Sequence, residues 1–70
     1  MDKHSSQRAV VAWLNDHDDV QSYVGGVSGM PLVDRGDLLR TAASNAVEQL
    51  PGVDFDAVDW AGAVKEVLGL

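Results

Sequence analysis

The sequence predicts an all-α fold, a compact domain of three to four helices. Three observations carry this. Apolar residues recur at three- and four-residue spacing in separate stretches, which is the helical period. The clearest stretch, Leu38, Leu39, Ala42, Ala43, Ala46, Val47 and Leu50, is closed by Pro51-Gly52. Finally, Trp13 and Trp60 lie in apolar segments near opposite ends of a 70-residue chain, so its two ends are expected to pack together.

In chain order, Ser5 or Ser6 is placed to cap a first helix running through Arg8 to about Leu14, with Val10, Trp13 and Leu14 on its buried stripe. Asn15-Asp16-His17-Asp18-Asp19 consists of poor helix-interior residues and good caps, so a pause is expected there. Asp16 with Asp19 reads as the next helix start. Val20, Tyr23 and Val24 continue an apolar stripe until Gly25-Gly26 ends it.

Residues 25–34 form the main loop, because three glycines and one proline exclude a regular helix through it. A short strand there has no evident pairing partner. Met30, Leu32 and Val33 are its apolar members. They either tuck back on the core or face a partner, and they are the candidate partner-binding residues. Asp34 is placed as the N-cap of the Leu/Ala helix, with Asp37 as the acid of a capping box. The alanines of that helix leave room for a bulky neighbour, for which the two indoles are the candidates. Asp54 or Asp56 is expected to cap a last helix whose stripe is Ala57, Trp60, Ala61, Val64, Val67 and Leu68, ending at Gly69. The expected core is Trp13, Leu14, Leu38, Leu39, Ala42, Trp60 and Val64. No repeat, low-complexity tract or linker divides residues 1–70, which read as a single helical domain.

A chain of this length draws only about 3–5 kcal/mol from its core. It has no cysteine, so neither a disulfide nor a thiolate metal site adds to that. With 46% hydrophobic and 6% aromatic residues the composition is that of a globular chain. Completion of a small core by a second surface is therefore a reasonable expectation, and a homo-oligomer stays open. Net charge is −6, from eleven acids and five scattered bases. This disfavours direct nucleic-acid binding, which needs Lys and Arg to neutralise phosphates. The acidity has three readings: DNA mimicry, salt adaptation or GC-rich genome bias. No segment approaches the roughly 20 apolar residues of a membrane span. Met1-Asp2-Lys3-His4-Ser5-Ser6 lacks the basic-then-apolar pattern of a signal peptide, so the cytoplasm is the expected location.

No catalytic constellation is legible. Asp16, His17, Asp18 and Asp19 suggest a metal cluster, but a calcium loop opened at Asp16 places Val20, Gln21 and Val27 where an oxygen ligand, glycine and glutamate belong. A capped, solvated turn explains these residues without a metal. Asp54, Asp56 and Asp59 form a second acidic run, the candidate acidic face, which helix-dipole complementarity also accounts for. Gly25-Gly26-Val27-Ser28-Gly29 lacks the Gly-Lys-Ser/Thr of a phosphate loop. Ser28 lacks the Asp-Ser-Leu setting of a carrier-protein serine. No Gly-x-Ser-x-Gly or His-Glu-x-x-His occurs. Trp13, Tyr23 and Trp60 read as core first and as an exposed anchor second.

Trp13-Leu14-Asn15-Asp16 near the start, the Ala/Leu helix ending in Glu48-Gln49-Leu50, and Val58-Asp59-Trp60-Ala61 near the end together resemble a family of small uncharacterised proteins of bacteriophages, chiefly those of actinobacteria, and of mobile elements. The Gly-Gly-Val-Ser-Gly-Met-Pro loop departs from that family's middle, which is richer in Glu and Arg. The resemblance implies an accessory protein acting inside an infected host cell, and it assigns no activity to any residue. The expected function is thus non-enzymatic binding of a host or viral protein, with no cofactor. The rival expectations are an acidic DNA-mimicking decoy and a docking or assembly module.

Overall fold

In the computed structural model, residues 3–27 and 29–70 are described. Four α-helices follow in order, α1 (Lys3–Asn15), α2 (Asp18–Gly25), α3 (Leu32–Ser44) and α4 (Trp60–Leu68), with one 3-10 turn at Val47–Gln49. The all-α expectation holds, and no strand is present among the described residues.

α1 buries Ser6, Val10, Trp13 and Leu14, one face at successive turns. Ser5 and Ser6 do not cap it. Helix is already formed at Lys3, and Ser6, fully buried, accepts the N–H of Asp54 through Oγ at 3.0 Å. The break between α1 and α2 is only Asp16 and His17. The last carbonyls of α1 have lost their helical donors there and need others. Gln21 Nε2 donates to the Leu14 and Asn15 oxygens at 2.9 and 3.2 Å. His17 Nδ1 lies 2.7 Å from the Trp13 oxygen, a contact that requires the hydrogen to be on Nδ1. His17 precedes α2 at the cap position without a side-chain cap bond, so Asp16 is not the cap, and Asp18 and Asp19 occupy the first turn.

α2 is eight residues long and buries Val24, with Val20 packed partly behind it. Tyr23, expected on this stripe, is 52% exposed. Val20 and Val24 are one turn apart and define the inward line of so short a helix, which leaves Tyr23 to its side.

α3 starts three residues earlier than Asp34 would dictate as a cap. Pro31, with φ −59°, holds the cap position, and the Arg35 N–H already returns to the Pro31 oxygen at 3.1 Å. Asp34 therefore sits in the first turn and Asp37 is beyond capping reach. α3 also stops early, at Ser44 rather than Leu50. Thr41 Oγ1 and Ser44 Oγ bond back to the Asp37 and Arg40 oxygens, and Asn45 follows; such residues compete with the helical ladder. The chain tightens into the 3-10 turn, which leaves Val47 56% exposed and brings Gln49 Oε1 to 2.9 Å from the Trp13 indole nitrogen.

α4 starts at Trp60, capped by Asp59 and not by Asp54 or Asp56. Asp59 Oδ1 accepts the Gly62 N–H at 3.0 Å. Ala57 lies in a turn before the helix. Gly69 ends α4 at φ 72°, and both it and Leu70 donate to the Lys65 oxygen.

The core joins all four helices. Val10, Trp13, Leu14, Val24, Leu39, Ala43, Leu50, Val58, Trp60, Ala63 and Val64 are buried in one cluster, with Leu38 and Ala42 packed at its edge. Both tryptophans belong to it. α3 and α4 approach closely at Gly36, while Ala43 shares the buried cluster with both indoles. A Cβ on Gly36 would lie 2.7 Å from the Ala61 nitrogen, so the two backbones are in contact there.

Candidate interaction surface

The α2–α3 loop is organised by Arg35, a residue to which the sequence reading assigned no role. From the first turn of α3 its guanidinium turns back and donates to three loop carbonyls. Nε reaches the Met30 oxygen at 3.1 Å, Nη2 the Val27 oxygen at 3.0 Å, and Nη1 the Gly25 oxygen at 3.5 Å. A glycine-rich loop has no ladder to satisfy its carbonyls, and the planar five-donor fork of arginine can serve several at once. The one sequence signal was a lone Arg just after the loop and one position before Gly36.

Beside this clamped loop the three apolar candidates separate, Met30 on the loop and Leu32 and Val33 in the first turn of α3. Met30 and Leu32 are half-buried, and Leu32 packs on the core. Val33 faces out, 68% exposed. The helix begins at Leu32, so neighbouring side chains point about 100° apart, and here Leu32 takes the inward side and Val33 the outward one. Ser28, considered as a carrier-type serine and as part of a phosphate loop, lies outside the described residues.

The candidate acidic face is exposed throughout, and each of its members has a local partner. Asp59 caps α4. Asp54 Oδ1 accepts the Asp56 N–H at 3.1 Å, and Asp56 pairs with Arg40 at 2.8 Å. That is the only ion pair among the described residues. Asp16, Asp18 and Asp19 are exposed at the start of α2, and no grouping of three potential metal ligands occurs among the described residues. His17 stacks on Trp13 at a centroid distance of 4.7 Å.

A cleft of about 540 Å³ lies between α1 and α4, lined by Lys3, His4, Gln7, Asp59, Gly62 and Glu66. A second, of about 420 Å³, shares His4, Gln7 and Glu66 and continues along α1 past Arg8 to Asn15. Gln7, which lines both, has its amide paired with the backbone of Asp59. Oε1 accepts the Asp59 N–H at 2.7 Å and Nε2 donates to the Asp59 oxygen at 3.0 Å. No described helix is long and apolar enough to cross a membrane. Comparison of the chain with protein-family models, curated proteins and solved structures finds no match.

Proposed function

We propose that this chain is a non-enzymatic interaction protein that binds another protein through the Arg35-clamped loop, with Val33 as the outward contact and Met30 and Leu32 beside it. The observation that carries the reading is the combination of exposure and restraint at this place. A branched apolar side chain, 68% exposed, stands two residues from the arginine that pins the preceding loop. An anchor held in place before binding loses less conformational freedom when it docks. The resemblance to bacteriophage proteins supports a host or viral protein as the partner and the host cytoplasm as the setting.

The test is affinity capture from a host lysate with three forms of the chain. One is wild type, one carries Met30→Ser and Val33→Ser, which leaves the core contact of Leu32 intact, and one carries Asp54→Asn, Asp56→Asn and Asp59→Asn. Loss of the captured protein with the loop form alone, and only modest weakening above about 0.15 M salt, supports the proposal. Loss with the Asn form alone, together with steep salt sensitivity and competition by duplex DNA, assigns the chain to the decoy reading instead.

A further inference from the structure

We propose that the α1–α4 cleft is a self-association surface, in which two copies of the chain meet about a two-fold axis along the cleft so that Lys3 and Arg8 of each copy face Asp59 and Glu66 of the other. The argument rests on how charge is divided across this cleft. Its α1 side carries Lys3 and Arg8, and its α4 side carries Asp59 and Glu66. All four are exposed, and none pairs with another across the opening. Opposite charges thus line two sides of an open cleft, and a second copy of the chain carries the same division of charge to set against it.

Symmetry decides which outside surface fits. A two-fold axis along the cleft sets the α1 side of one copy over the α4 side of the other, so each basic side meets an acidic one. An axis across the cleft would set like over like. The first arrangement is isologous and closed, so it ends at a dimer. Gly62, on the α4 side, has no side chain to hold a second copy away. The pair-forming charges remain near solvent, where single ion pairs are weak, so the dimer forms at high protein concentration and dissolves in salt. Met30, Leu32 and Val33 do not line this cleft, so the surface stands or falls separately from the partner surface proposed above.

The test is sedimentation equilibrium of the full chain from roughly 20 μM to 1 mM. Wild type should associate to a dimer at the upper end. Association should weaken by roughly tenfold or more in Arg8→Glu and in Glu66→Lys, and recover in the double variant. Lys3→Glu provides a second, independent weakening, and wild type alone should lose association as salt rises from about 0.05 to 0.5 M. A wild type that is monomeric throughout overturns the proposal. So does a dimer indifferent to the single reversals and to salt, or a double variant no better than either single one.

Discussion

Ser6 Oγ accepts the backbone N–H of Asp54 at 3.0 Å, across 48 residues of chain. One position on, Gln7 pairs its amide with both backbone groups of Asp59. Together these two side chains of α1 tie down the segment that leads into α4. Ser6 is fully buried and Asp54 exposed, so alanine at Ser6 removes the acceptor of a part-buried N–H. Ser6→Ala should cost about 0.5–1.5 kcal/mol, read from the urea midpoint. A midpoint equal to wild type would show that the Asp54 N–H finds another acceptor.

Gly36→Ala tests the contact between α3 and α4. In an isolated helix this change gains about 1 kcal/mol of helix propensity. Here the new Cβ would sit 2.7 Å from the Ala61 nitrogen and 3.0 Å from its Cα, and backbone cannot swing aside as a side chain can. Overpacking of this kind costs typically about 1–3 kcal/mol, more when backbone must move. The net result should be a lower melting temperature. A rise would mean that the two helices separate at little cost.

The indoles should dominate stability. Trp13 and Trp60 are 7% and 8% exposed and belong to one cluster. Each indole N–H also has an acceptor, the Gln49 side chain for Trp13 and the Phe55 oxygen for Trp60. Replacement of either by alanine should cost about 3–5 kcal/mol, comparable with the whole stability of so small a chain. Near-neutral melting temperatures for both variants would contradict the shared core.

Asp59 and Asp56, both ahead of α4, should rank by what each one holds. Asp59→Ala removes the acceptor of the Gly62 N–H and should cost about 1 kcal/mol, whereas Asp59→Asn keeps an acceptor oxygen and should cost less. Asp56→Ala breaks only a solvent-exposed ion pair with Arg40 and should fall below about 1 kcal/mol. Thermal unfolding of the three variants checks the order. A larger loss from Asp56→Ala than from Asp59→Ala would reverse it.

Calcium or magnesium titrations followed by NMR should give only weak, diffuse changes at Asp16, Asp18 and Asp19. The spacing fails a calcium loop, and the first turn of α2 gives Asp18 and Asp19 a role beside its positive dipole end. Saturable, localised binding in the low micromolar range would refute this.

Periodicity and terminators were legible from residue order because they are local. The buried stripe of α1, the break near Asp16, the stop at Gly25-Gly26 and the left-handed Gly69 all follow from neighbours within a turn or two. Both tryptophans as core followed too, since an indole on an apolar helical stripe has nowhere cheaper to go. Helix starts were less legible. Three nearby aspartates each qualify as a cap by composition, and only the path of the chain selects Asp59. Likewise Pro31 started α3 ahead of Asp34, and Thr41, Ser44 and Asn45 ended it ahead of Pro51.

The sequence by itself determined the class of fold, the approximate positions of the helices and the core residues Trp13, Leu14, Leu39, Trp60 and Val64, because these rest on spacing along the chain; Leu38 and Ala42 fell to the edge, and Val58 and Ala63 joined the core unannounced by any stripe. Tertiary structure alone decided that Ser6 serves Asp54, that Gly36 lets α3 and α4 touch backbone to backbone, that Arg35 clamps the loop before Val33, and that Lys3 and Arg8 lie across an open cleft from Asp59 and Glu66. The physical reason is the same in each case. A hydrogen bond or a close backbone contact between residues far apart in sequence depends on where two segments meet in space, and neither segment carries that information alone.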